Sequence, residues 1–270
     1  MHPIEHLRYV ARAHGVDAVA LVEESAHALG SMAFDPSALV VACRRIVERH
    51  PFTGALWWLC ANLTTSAEPH DAVWELAGRI RSDSTGSQLA HELPDDATVL
   101  TIGAPELIAD GLVRRGDVRV VALDSQHSAT SFVRRLERHD VDYEPVDAAA
   151  AGAAARVADV VLIEALAVDR EYVVAPLGSS TVAGVAAAVG TPVWLVAGVG
   201  RRLPNDMVGA MRERIDGAIA DVDPWDLEVE AFSTAQVTDV IGPLGRLPMG
   251  PAAVAAECPP APELLRISPM

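Results

Sequence analysis

No lysine occurs in this sequence of 270 residues; all 21 basic side chains are arginine. That absence excludes whole chemistries. An imine-forming enzyme needs an amine to attack a carbonyl substrate or to hold pyridoxal phosphate. A Walker-type phosphate loop and a protein kinase each place a lysine ammonium on the phosphates. Basic charge is scarce as well. With 37 acidic residues the formal net charge is −16 and the pI is near 4.8. Nucleic-acid binding needs a basic face that releases counterions, so no nucleic-acid partner is expected. The three cysteines, Cys43, Cys60 and Cys258, are an odd count without paired metal-ligand spacing. A reducing cytoplasm, no metal and no cofactor are the expectation. The longest apolar run, over 182–197, contains Gly, Thr and Pro and falls short of the ~20 clean residues of a membrane span. Glu5, His6 and Arg8 interrupt the opening stretch where a signal peptide would be apolar. No membrane partner is expected.

What is present suits a globular chain. Half of the residues are apolar, only 4% are aromatic and 21% are charged. Ala, Val and Leu dominate, which fits helices packed on buried strands. Arginine used to the exclusion of lysine, with this Ala, Gly and Val content, points by association to a GC-rich bacterial genome. The length admits one large domain or two smaller ones.

Residues 1 to about 93 read as helical. Apolar residues recur every three or four positions over 4–14, 16–29, 36–50, 53–64 and 70–91. Asp35-Pro36-Ser37 has the form of an N-cap followed by proline at the first helical position. From Pro94 the pattern changes. Short Val-rich runs at 98–102, 118–123, 141–145, 160–163 and 193–197 alternate with helical segments at 105–115, 129–139, 148–158 and 179–189. Mostly apolar strands separated by helices imply a parallel sheet covered on both faces. The fold class is therefore α/β: an N-terminal helical domain (1–93), then a Rossmann-like, doubly wound parallel sheet domain (94–250). The Pro/Ala-rich tail (251–270) reads as a C-terminal arm or strap. The Ala-rich run at 148–155 reads as a helix packed closely on the sheet.

In such folds ligands bind beyond the carboxyl ends of the strands, near a topological switch point. Three loops qualify. In Thr101-Ile102-Gly103-Ala104-Pro105 a strand ends, Gly103 turns the chain and a proline starts a helix, whose free N–H groups suit an anion; an ordinary strand–helix turn would look the same. In Leu123-Asp124-Ser125-Gln126-His127-Ser128, Asp124 stands where nucleotide folds hold sugar hydroxyls. His127 is placed for acid–base work; Ser128 as a plain helix cap is the simpler reading. In Gly178-Ser179-Ser180-Thr181 a glycine and three hydroxyl residues precede an Ala-rich helix. This loop reads equally as a phosphate or ribose cradle and as a helix cap.

Other groupings carry less. His2, His6 and His14 lack partner ligands. Trp57 and Trp58 read as helix packing. No Gly-x-Ser-x-Gly elbow is present. Arg201 and Arg202, after the strand at 193–197, either bind an anion or pair with acidic neighbours, the commoner outcome.

The stretch Asp159-Val160-Val161-Leu162-Ile163-Glu164-Ala165, with Tyr172-Val173-Val174-Ala175-Pro176-Leu177-Gly178-Ser179 and Thr191-Pro192, resembles the C-terminal part of the translation initiation factor 2B alpha/beta/delta group. That group includes methylthioribose-1-phosphate and ribose-1,5-bisphosphate isomerases. His50-Pro51-Phe52-Thr53 with Leu56 is similar to an element of the group's helical domain. The resemblance implies a homodimer and a small phosphorylated ligand, a sugar phosphate or nucleotide, held by Gly103, Asp124, Ser125, Gly178, Ser179, Ser180 and Thr181. It also marks departures. The isomerases' cysteine position is Gly103 here, their aspartate position is Leu166, and an Asn-Lys pair is matched by Ala175-Pro176. Glycine and leucine cannot move protons between sugar carbons. The expectation is a regulatory or ligand-binding protein without the isomerase chemistry. The alternative is an aldose–ketose isomerase of a phosphorylated sugar, with acid/base work relocated to Glu164, Asp169 or His127.

Overall fold

Helix α2 (Pro36–Arg49) shows how locally the first elements are set. Asp35 Oδ1 accepts the Ser37 and Ala38 backbone N–H groups at 3.0 and 3.1 Å, and Pro36 supplies a helical φ at the first position. The hydrogen bond from the Ser37 hydroxyl, then those backbone bonds, hold the Asp35 carboxyl below its ordinary range. The computed structural model of the chain describes residues 18–125, 130–219 and 222–265. Helices α1 (Ala18–Gly30), α3 (Gly54–Thr65) and α4 (Pro69–Arg81) complete the first layer with α2. Trp57 and Trp58 are fully buried between them. Each indole N–H is satisfied, by Pro51 O at 2.9 Å and by Glu257 O at 3.1 Å.

The helix expected over 70–91 is two helices. Asp83 Oδ1 accepts the Thr85 backbone N–H at 2.9 Å and its hydroxyl at 2.6 Å. This local turn outcompetes the helical ladder, and α5 (Thr85–Glu92) starts in a new direction. It packs on α6 (Glu106–Arg115) at two glycines: a Cβ on Gly86 would stand 2.4 Å from Asp110 Oδ2, and one on Gly111 2.7 Å from Leu89.

A seven-stranded sheet follows in the order β10-β9-β7-β4-β1-β2-β3. The strands are β1 (Thr98–Ile102), β2 (Arg119–Leu123), β3 (Asp142–Val146), β4 (Val160–Glu164), β7 (Val193–Val196), β9 (Asp239–Gly242) and β10 (Gly245–Pro248). All neighbours are parallel except β10, which returns antiparallel to β9. Alternate residues serve opposite faces. Leu100, Val121, Val161 and Leu195 pack under α8 (Ala151–Val157) and α9 (Ser179–Val189). Val99, Val120, Leu162 and Trp194 pack under α5, α6 and α7 (Thr130–Arg138). With both faces covered, a strand must be apolar throughout, hence the Val-rich runs.

Three features go beyond the sequence reading. The strand at 193–197 is not the last of the core, since β9 and β10 lie beyond it. A second sheet, in the order β5-β6-β8, is formed by β5 (Ala167–Val168), β6 (Tyr172–Pro176) and β8 (Val229–Ser233). Its antiparallel pairs are too short or too polar to stand out. The C-terminal arm packs on the helical layer. Its residues Cys258, Ala261 and Leu264 join the helical core with α10 (Asn205–Ala218), and the arm carries the short helix α11 (Pro262–Leu265). Among the described residues no helix is long and apolar enough to cross a membrane. None of their His, Cys, Asp and Glu groups could hold a metal ion.

Candidate functional site

The chain runs outward from β1 through β2 to β3, and from β4 through β7 to β9 in the other direction. The switch point therefore lies between β1 and β4, where α/β sheets bind ligands. At the end of β1, Gly103 takes φ +76°, a conformation open to glycine at no steric cost. It leads through Ala104-Pro105 into α6. At the end of β4 stands Glu164, 9% exposed. The N-cap residue of α6, Pro105, offers no side-chain cap. Glu164 Oε2 supplies one from across the sheet, accepting Leu107 N–H at 2.8 Å and Ile108 N–H at 3.3 Å. Burial is the largest influence on its carboxyl and pushes it up, against the pull of the Arg201 charge and the two N–H groups.

Arg201 follows β7 on a tight turn. Gly200 there takes φ +79°, and a Cβ on Gly198 would stand 2.3 Å from Asp83 Oδ2. The side chain is 6% exposed. Its guanidinium makes no hydrogen bond with any described residue, and its charge acts on the Glu164 carboxyl. Arg201 lines two adjoining cavities of about 200 and 300 Å³. The first runs between α1, Thr53, Ala104-Pro105-Glu106, Glu164, Leu166 and Pro176. The second extends past Asp83 to Asp110, Arg114 and Arg135. The other arginines there are neutralised: Arg114 by Asp110 at 2.8 Å, Arg135 by Asp110 at 3.5 Å and Arg81 by Glu23 at 2.5 Å. The crevice thus places the Arg201 cation beside the buried Glu164 carboxyl, whose charge it attracts.

The three loops singled out in the sequence meet at this end of the sheet. Gly103 N–H bonds to Leu123 O at 3.1 Å, and Ser125 Oγ donates to Leu177 O at 2.8 Å. A Cβ on Gly178, which takes φ +95°, would meet Ile102 at 2.8 Å. Asp124 sits at the end of β2, beside β3. Gln126, His127 and Ser128 lie outside the described residues, as do His2, His6 and His14. The 178–181 loop starts α9, and an internal anion sits on it. Glu230 Oε1, from β8, accepts Ser180 N–H at 2.8 Å, and the same carboxylate takes the Gly178 and Ser179 N–H groups. Burial raises the Glu230 carboxyl and these bonds oppose it. Ser179 is fully buried and its hydroxyl has no partner, while Thr181 is exposed. The sequence could not reveal Glu230, which is fifty residues away. Arg201 was visible only as one of two adjacent arginines with opposite fates. Gly54 was not singled out, yet it donates its N–H to Leu166 O at 3.1 Å.

No family model matches the chain, and no curated protein matches it. Solved structures do. Translation initiation factor eIF-2B from Pyrococcus horikoshii OT3 superposes with a TM-score of 0.76 at 16% identity, over 93% of this chain and 98% of that one. The fold is that of initiation factor 2B. The tetrameric eIF2B-beta2-delta2 complex from C. thermophilum gives 0.73 at 13% identity, over 93% of this chain and 91% of that one. The delta subunit of eIF-2B from A. fulgidus gives 0.59 at 17% identity, over 98% and 91%. Within this initiation factor 2B fold, Gly103 turns the chain out of β1 and Leu166 lines the first cavity. Neither carries a proton-transfer group.

Proposed function

We propose that the chain is an initiation factor 2B-like binding protein. In this reading it takes a small phosphorylated ligand, a sugar phosphate or nucleotide, in the switch-point crevice without the isomerase chemistry of the group it resembles. The observation that carries the reading is Arg201. Its largely buried side chain makes no hydrogen bond with a described residue and lines, with Glu164, a cavity of about 200 Å³. A phosphoryl group supplies the hydrogen-bond acceptors that the guanidinium lacks, with a bidentate fit that arginine favours. The surrounding acidic protein, at −16, repels anions that lack such a fit. Gly103, Asp124, Ser125 and the 178–181 loop are candidate ligand residues on the rim. The phosphoryl group is assigned to Arg201, because Glu230 already occupies the amides at 178–180. A homodimer in the cytoplasm, with three reduced thiols, completes the reading; Cys43, Cys60 and Cys258 are all buried and free.

The test is thermal unfolding with millimolar ribose 5-phosphate or AMP. At a hundredfold excess over Kd a ligand stabilises by about 2.7 kcal/mol. Wild type is expected to gain melting temperature with one of the two, and Arg201→Met to lose most of the gain. No gain with either overturns the reading. Glu164 keeps the isomerase alternative open to the same sample, since it is the buried carboxylate beside Arg201. Solvent deuterium entering the sugar, and failing to enter with Glu164→Gln, selects that alternative.

A further inference from the structure

We propose that Glu257, on the C-terminal arm, is a positioning residue for ligand binding: it clamps the turn at 198–202 so that Arg201 enters the crevice beside Glu164. The inference rests on the reading of Arg201 as the anion anchor.

Two carboxylates from distant parts of the chain hold successive amides of this turn. Asp83 Oδ2 accepts Val199 N–H at 2.8 Å, and Glu257 Oε2 accepts Gly200 N–H at 2.7 Å. The second oxygen of Glu257 pairs with Arg202 Nη2 at 2.5 Å, and both side chains of that pair are 12% exposed. The arm is fixed in turn by its backbone. Glu257 N–H donates to Arg202 O at 2.9 Å, and Glu257 O accepts from Trp58 Nε1. On the far side of the turn, Arg201 O accepts Val168 N–H at 2.8 Å, and Leu203 N–H returns to Val168 O at 3.0 Å. The Arg201 backbone has little freedom left.

The charge arrangement gives the clamp its consequence. Arg201 and Arg202 are adjacent guanidinium groups, and Glu257 is a carboxylate within reach of the turn. Both of its oxygens are engaged, one by Arg202 and one by Gly200. Arg202 is therefore neutralised, Glu257 has no oxygen left for Arg201, and Arg201 lines the cavity beside Glu164. A glutamine at 257 presents one acceptor and one donor. Its NH₂ must face either the Gly200 N–H or the Arg202 guanidinium, so one clamp contact is lost. In either orientation Arg202 lacks its counter-charge, and the grip on the turn is weaker by one contact.

Ribose 5-phosphate titration by calorimetry of wild type, Glu257→Gln, Arg201→Met and the double variant tests this, with NMR of the Gly200 amide and the Arg201 Nε–H signal. Glu257→Gln is expected to weaken wild-type binding by about tenfold, the scale of one charge-assisted contact. It is expected to have no effect in the Arg201→Met background, a non-additivity that general loss of stability does not produce. Both NMR signals are expected to shift. Affinity within twofold of wild type in Glu257→Gln overturns the proposal. So does an equal loss in both backgrounds. If wild type binds no ribose 5-phosphate, the anchor reading fails, and the NMR signals alone decide the clamp: unchanged signals overturn it. Should Glu257→Gln fail to fold, Glu257→Asp, which keeps the charge but shortens its reach, serves for the same comparison.

Discussion

The Glu230 carboxylate accepts Ser180 N–H at 2.8 Å and closes the N-terminus of α9 with an anion of the chain's own. Removing it as Glu230→Ala leaves amides at 178–180 without their acceptor, next to the unpartnered hydroxyl of Ser179. A lost cap of this kind costs about 1–2 kcal/mol. Urea unfolding is expected to report that loss, and sulfate at tens of millimolar is expected to restore part of it in Glu230→Ala but not in wild type. A variant as stable as wild type would mean the carboxylate contributes nothing to α9.

The pH dependence of Glu164 has a definite sign. Burial raises its carboxyl above the ordinary value of 4.5, more than Arg201 and the α6 amides lower it. The folded chain therefore holds the proton more tightly than the unfolded chain. Stability is fully present below the unfolded value and falls as pH rises through the folded one. Other raised carboxyls, Asp169 and Glu230, act in the same direction, so the comparison must be with Glu164→Gln. Between pH 4.5 and 7, wild type is expected to lose stability more steeply than the variant, by no more than about 1.4 kcal/mol per pH unit for one proton. Parallel urea midpoints across that range would overturn the assignment.

Two glycines separate close approach from mere presence. A Cβ on Gly54 would stand 2.3 Å from Leu166 O, a backbone atom that cannot swing aside, whereas one on Gly184 meets nothing within 4 Å. Gly54→Ala is expected to cost about 2 kcal/mol or more by forcing α3 away from the β4–β5 turn. Gly184→Ala, inside α9, is expected to gain about 0.5–1 kcal/mol through helix propensity. Denaturant titration of the two variants reads both signs.

How legible the molecule was follows from the range of the forces involved. The parallel strands were readable because both faces are buried, so Val99, Val120 and Val161 announce themselves without reference to their neighbours. Asp35 was readable as a cap because it bonds two and three residues ahead. The break at Asp83 is just as local but lay inside a continuous apolar period that argued for one helix. β5 has two residues, and β6 ends on Pro176, so neither carries a strand signature. The site was the least readable part. Its three loops were recognised singly, but Glu164 on the α6 amides, Glu230 on the α9 amides and Glu257 on Gly200 join residues about 50 or more positions apart. A carboxylate in a sequence does not state which distant N–H it will meet.

Chains are made from the N-terminus onward. The strands that frame the switch point, and Arg201 itself, are synthesised before the arm that carries Glu257. A growing chain thus acquires the walls of its crevice first and the grip on the Gly200 turn last. On the proposed reading, the chain is expected to reach its full affinity for ligand only once the arm has docked on Trp58.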